Sequence, residues 1–248
     1  MRAAPATRRR TMQSVPTTDG PHEARQSFAE SLDETRDDVI RLAGLTVEAI
    51  GVTTRALLDA DLAAVARLVN DDASIDELKE ATELRVYEMF ATQQPMAGDL
   101  RTLLAVLRIL HEIQLTADLT VSIAKGARRL YPMELAPRLR GLLDRMGSRA
   151  AEQFKVAIDS FADSDPSRAA ALPDMDDVMD DLQKDLFRAI FENSSNDEAG
   201  LQAAVQLALL GRFYERMADH AVLIGAWVRF MVTGELPSRA DMQDSGTP

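Results

Sequence analysis

The chain has 248 residues, 46% of them hydrophobic, with 12 Gly, 10 Pro and no Cys. That suffices for one large domain or two of about 100 residues with ample core, and it excludes pervasive disorder, collagen and a disulfide scaffold. The missing cysteines also remove thiolate metal sites and thiol nucleophiles, as suits a reducing, cytoplasmic compartment. No apolar run approaches the roughly 18 residues of a membrane span; the longest, Ala221 to Val228, stops at Arg229. The 40 acidic residues outnumber the 28 basic ones for a net charge of −12. The first 25 residues carry +3, so the remaining body carries −15. Such a body repels nucleic-acid backbone and attracts cations or a basic patch on a partner.

Residues 1–23, with Arg2 and Arg8 to Arg10, read as a disordered basic extension. The stretch after the arginines holds only Met12 and Val15, too little for a twin-arginine export signal. Helical periodicity then predicts rods over 24–58, 61–93, 96–131, 135–162, 166–192 and 198–233, with no alternating strand pattern. Pro95 is expected in a helix first turn, where its missing N–H costs nothing. Asp165-Pro166 reads as a cap and its following proline, Pro132 and Pro137 bracket the central break, and Ser194-Ser195-Asn196 offers caps before the last rod. Residues 236–248 read as a flexible tail.

The chain also repeats itself. Asp59-Ala-Asp61 matches Asp163-Ser-Asp165 at an offset of 104, as do Asp72, Ile75, Asp76 and Leu78 with Asp176, Met179, Asp180 and Leu182. At an offset of 101, Asp118, Val121 and Ile123 match Asp219, Val222 and Ile224. The expected architecture is all-α: two tandem, similar antiparallel three-helix bundles of six long helices, over 24–131 and 135–235.

The last rod of each copy carries the chemistry. Leu207, Leu210, Tyr214, Met217, Ala221, Ile224, Val228 and Met231 form an apolar heptad seam. The neighbouring stripe, Leu201, Val205, Ala208, Arg212, Glu215, Asp219, Val222 and Ala226, turns polar in its middle. In copy one the stripe is Leu100, Leu104, Leu107, His111, Gln114, Asp118 and Val121, interrupted at the same depth. A carboxylate beside a core seam is costly unless it is paired, bonded or metal-bound. Asp176 and Asp180, like Asp72 and Asp76, stand one turn apart on the middle rods, with Asp177, Asp181, Glu80 and Glu83 nearby.

Asp176, Asp180, Glu215 and Asp219 therefore form a full oxygen-rich candidate metal site in copy two. Asp72, Asp76 and Asp118 form a partial one in copy one, with His111, Glu112, Gln114 and His220 as accessory candidates. Oxygen ligands suit a divalent or trivalent metal (Fe, Mn, Mg, Zn or Ca), and the pattern does not choose among them. A solvated acidic face is the plainer reading, and Arg212 and Arg216 offer internal ion pairs. No Glu-x-x-His pair of a di-iron bundle, nucleotide loop or nucleophile motif is present, so a di-metal carboxylate enzyme or metal-storage protein is the second reading and no catalytic residue is assigned.

Gln94-Pro-Met-Ala-Gly-Asp-Leu-Arg101, Glu215-Arg-Met-Ala-Asp-His220 and Val232-Thr-Gly-Glu235 resemble the PhoU phosphate-signalling proteins, over about residues 24–236. The resemblance implies a non-enzymatic cytoplasmic adaptor, often a homodimer. It works with the ATPase of a phosphate ABC transporter and restrains a phosphate-responsive histidine kinase when phosphate is plentiful. It also implies Glu/Asp-x-x-x-Asp metal motifs. Glu215 and Asp219 match that motif fully; in copy one Asp118 matches its second acid while Gln114 replaces the first. Neither nucleic-acid binding nor membrane insertion is expected.

Overall fold

The computed structural model describes residues 21–71, 73–193, 195 and 197–237. The basic extension up to residue 20 and the tail from residue 238 lie outside them, as does Asp72. The helical spans among the described residues are, in chain order, α1 (Pro21–Leu58), α2 (Leu62–Asp71), α3 (Ala73–Gln93), α4 (Gly98–Leu130), α5 (Pro137–Ala162), α6 (Pro166–Ala169), α7 (Leu172–Asn193) and α8 (Glu198–Thr233).

The expected rods return almost residue for residue, with three corrections. The fifth splits into α6 and α7. Pro173 has no N–H to give the Ala169 carbonyl and its ring would crowd that carbonyl, so α6 stops there and the chain restarts. Pro95 lies ahead of α4 rather than in its first turn, in a corner where Gln94 and Ala97 have φ of 46° and 43°. The cap of α8 is Asp197, whose side chain accepts the Gly200 N–H at 2.9 Å. The second rod appears as α2 and α3 on either side of position 72.

The repeat is visible in backbone geometry. The Asp-x-Asp corners after α1 and α5 put Ala60 and Ser164 in the left-handed region, at φ 52° and 51°. The Asp61 carboxylate then accepts the Ala63 and Ala64 N–H groups at 3.0 and 2.9 Å, and Asp165 accepts those of Ser167 and Arg168 at 2.9 and 3.1 Å. Each aspartate thereby satisfies donors that a helix start leaves open.

The copies also cap each other. Arg36 on α1 donates to the Phe161 and Ala162 carbonyls at the end of α5, at 2.9 and 2.7 Å, and to Ser164 Oγ at 2.7 Å. Arg140 on α5 donates to the Leu58 carbonyl at the end of α1 and to Asp59 at 2.7 Å. Arg36 and Arg140 are repeat partners, so α1 and α5 run antiparallel about a pseudo-twofold axis. Gly147 lets them approach, since a Cβ there would overlap Thr54. Thr54 in turn shares a buried hydrogen bond of 2.9 Å with Tyr214.

α4 and α8 form the second antiparallel pair, so that α1, α4, α5 and α8 share one continuous core. The α8 heptad seam is buried along its whole length. α3 and α7 flank this quartet. α7 packs on both α5 and α8 and buries Leu172, Met179, Leu186, Ala189 and Ile190, whereas α3 packs mainly on α1. None of the helices is long and apolar enough to cross a membrane, among the described residues.

Candidate functional site

The polar interruption on α8 sits where its second stripe meets α7. Glu215 and Asp219, one turn apart, are each only 8% exposed. Glu215 Oε2 and Asp219 Oδ2 are buried without a hydrogen-bond partner. Arg212, a turn earlier, pairs with the other Glu215 oxygen. Asp176 and Asp180 on α7 lie close enough for their charges to act on both acids. Beneath them, the fully buried Gln153 of α5 reaches Asp176 Oδ1 at 3.3 Å and the Leu172 and Ala218 carbonyls at 3.4 Å. Asp177 and Asp181 are exposed on the outer side of α7, with Asp181 paired to Lys184 at 3.0 Å.

Proton affinity follows from this geometry. Burial raises Glu215 above the ordinary carboxylate range; Arg212 works against the rise, while Asp180 and Asp176 add to it. Asp219 is pushed up to about 8, first by burial and then by Glu215 and Asp176, with Arg212 opposing and Asp180 contributing less. The four acids of copy two thus lie near enough for their charges to repel one another.

Copy one is built differently. Gln114 Nε2 donates to Asp76 Oδ1 at 2.8 Å, turning what is a carboxylate pair in copy two into a neutral-to-charged hydrogen bond. Glu83 is held by Lys79 at 3.0 Å, and Glu80, His111 and Asp118 face outward. Asp72 lies outside the described residues. Glu112 and His220 belong to neither acid group. They meet across the α4–α8 contact, Oε2 to Nδ1 at 2.8 Å, and both are buried, so they tie the two copies together.

Two features of the site were not singled out in the sequence. Gln153 is one; its only signal is a lone amide among the apolar positions of α5. The other is the exposure of apolar side chains on α7 and α8, where Phe191, Leu201 and Val205 are 82%, 57% and 57% exposed. Periodicity marks such positions as apolar, and burial has to be seen.

Among the described residues, no three His, Asp or Glu side chains are gathered tightly enough to hold an ion as they stand. The donor chemistry of copy two nevertheless fits a hard cation: four carboxylates on two helices, two of their oxygens buried and unpartnered. Arg212 now supplies the positive charge that an ion would bring.

The chain matches the PhoU domain family model twice, over residues 39–127 and 143–228, at the same offsets that relate the two copies. It is 35% identical over 214 residues to the phosphate-specific transport system accessory protein PhoU homolog 2 of Mycobacterium tuberculosis, covering 86% of this chain and all of that protein. It is 35% identical to PhoU homolog 1 of the same organism over 206 residues, covering 83% of this chain and 91% of that one. Crystal structures of PhoU from Pseudomonas aeruginosa and of the phosphate transport system regulatory protein PhoU from Streptococcus pneumoniae superpose with TM-scores of 0.78 and 0.77. Both are 23% identical; the first covers 84% of this chain and 100% of its own, the second 85% and 99%, and they bear on the fold alone. With both halves matched, the chain belongs to the PhoU domain family.

Proposed function

We propose that this protein is a cytoplasmic accessory regulator of phosphate uptake and the phosphate-starvation response, acting by docking rather than by turnover. Its partners are a phosphate-responsive histidine kinase and the ATPase of a phosphate ABC transporter, and the working form is a homodimer. The observation that carries this reading is the match over the full length of the M. tuberculosis PhoU homolog 2, a phosphate-specific transport system accessory protein. The acidic α7–α8 face supports it physically, since negative potential favours partners that present positive charge.

The same face is proposed to hold a divalent or trivalent metal through Asp176, Asp180, Glu215 and Asp219. A bound ion would supply positive charge where these acids repel one another. Gln153 would steady Asp176 from below, and Arg212 would yield its place at Glu215. Copy one, with Gln114 bonded to Asp76, is proposed to bind metal weakly or not at all. Direct capture of phosphate by the bare face is disfavoured by its charge.

The deciding experiment deletes the gene and measures phosphate-responsive transcription in high phosphate. Expression should rise to the starvation level, and unchanged expression would overturn the regulatory reading. In the same strain, Glu215→Ala with Asp219→Ala should leave the purified fold intact while removing its bound metal.

A further inference from the structure

A Cβ at Gly126 of α4 would overlap Leu210 of α8, so the two residues sit level in this antiparallel pair. Toward the end where α4 stops and α8 starts, the surface opens into a groove of about 1060 Å³ between α8 and residues 129–133. Leu201 and Val205 line it on the α8 side, and Tyr131, itself 54% exposed, and Met133 line it opposite. Its charged lining includes Arg129, in the last turn of α4, and Glu198, in the first turn of α8. Both signs suit their places, since a helix C-terminus favours a cation and an N-terminus an anion. Among the described residues neither side chain has an ion pair, and both are exposed.

An end of the bundle where one helix finishes and its antiparallel neighbour begins is thus built with two signs. At 1.5 Å per residue, Arg129 stands about 4.5 Å beyond the Gly126–Leu210 level and Glu198 about 18 Å beyond it. Val205 and Leu201 fall between them, at about 7.5 and 13.5 Å. The order along the bundle is cation, apolar centre, anion. Half a turn about an axis through the centre and perpendicular to the bundle reverses that order, so the surface is complementary to itself. Contiguous exposed apolar side chains with a polar rim are also what a covered surface presents before its cover arrives.

We infer that this groove is the docking surface for a second copy of the chain, laid antiparallel across the twofold. Leu201, Val205 and Tyr131 of both copies pool at the axis, and Arg129 of each copy faces Glu198 of the other. This rests on the homodimer proposed above and locates its interface. An external partner of one sign would match one end of the groove and oppose the other. The chain's own terminal segments leave from elsewhere: α8 runs away from the groove for 36 residues, about 54 Å. At its far end Met231 and Val232 line a small cavity with Leu32 and Arg36, close to the start of α1. Residues 1–20 and 238–248 therefore both join the fold at the opposite end of the bundle.

The test is sedimentation equilibrium of the purified full chain from nanomolar to high micromolar concentration. The mass should settle at two copies and go no higher. Leu201→Glu with Val205→Glu should weaken dimerisation at least tenfold, as should Arg129→Glu alone and Glu198→Arg alone, each variant being checked for an unchanged helical circular dichroism spectrum. Combining Arg129→Glu with Glu198→Arg should restore the affinity to within about threefold, because each swapped charge again faces its opposite. Leu100→Glu with Leu104→Glu, the repeat-related positions at the other end of the bundle, should change it less than twofold. A dimer indifferent to the Leu201 and Val205 changes, or a charge swap that restores nothing, would overturn this interface and leave the homodimer standing. A mass of one copy at every concentration would overturn both, and a mass climbing past two would replace the twofold with head-to-tail growth. None of these readings depends on phosphate-responsive transcription, so the regulatory role fails or stands separately.

Discussion

Two copies of one helical trio solve the same problem in opposite ways. In copy two, Glu215 and Asp219 are driven into the α7–α8 contact with Asp180 and Asp176 opposite, and Arg212 is the cation that tempers them. In copy one, the position of Glu215 is Gln114, whose amide donates to Asp76, and the position of Asp219 is the exposed Asp118. A single carboxylate-to-amide exchange removes a repulsion and adds a hydrogen bond, so one half is a closed polar contact and the other an open demand for charge. The lesson is that a repeated scaffold conserves geometry, while the electrostatic state of each half is set by two or three side chains.

The largest expected effect comes from discharging copy two. Asp219 in the folded protein holds its proton up to about pH 8, whereas an unfolded aspartate releases it near pH 4. The unfolded state therefore binds fewer protons in this window, and the metal-free protein should lose stability as pH rises from about 4 to 8, then level off. Glu215→Gln with Asp219→Asn should flatten that profile and stabilise the protein by about 2–3 kcal/mol at pH 9, measured by urea unfolding in EDTA. A profile that keeps its slope in the double variant would show that these acids are not its source.

The reverse change in copy one should cost less. Gln114→Glu replaces the donor to Asp76 with a second carboxylate and should destabilise by about 1–2 kcal/mol at pH 7, with recovery near pH 4. If stability is unchanged, the two halves differ less than the hydrogen bond implies.

Next come the reciprocal arginines. Arg36 serves two carbonyls and a hydroxyl in a partly buried setting, and Arg36→Ala should cost about 1–2 kcal/mol. Arg140→Ala removes more exposed contacts at the mirror-related corner and should cost about half as much. Equal losses would mean that burial at the two corners is more alike than it looks.

The smallest effect is a gain. Ala60→Gly relieves a left-handed non-glycine residue and should add up to about 1 kcal/mol. Ser164→Gly should add less, because it removes the hydroxyl that Arg36 uses.

Much of this was legible from the chain. The seam from Leu207 to Met231 gave α8 and its buried face, and Asp165-Pro166 gave the start of α6. The stripe through Arg212, Glu215 and Asp219 located the acid group. What the stripe could not say is which members are buried, because that depends on the neighbouring helix: α7 packs closely on α8, while Asp118 on α4 is left exposed. Nor could spacing reveal that Glu112 and His220 meet, since they lie 108 residues apart and are not repeat partners. Arg36 and Arg140 share the repeat offset, yet nothing in a linear reading tells that each serves the other copy. Helical periodicity over 166–192 passes over Pro173, which ends the turn before it and so divides α6 from α7.

The crossed clasp of Arg36 and Arg140 bears on ancestry and modularity. Each trio leaves a hairpin corner that only its sibling completes, so neither is a self-sufficient building block. Two separate half-length polypeptides sharing this twofold would need association to finish folding, and dilution would pull them apart. Joining them through the short stretch between α4 and α5 makes that encounter intramolecular, at an effective concentration of millimolar order for a short tether. Cutting the tether should therefore yield halves whose melting depends more steeply on protein concentration than that of the intact chain.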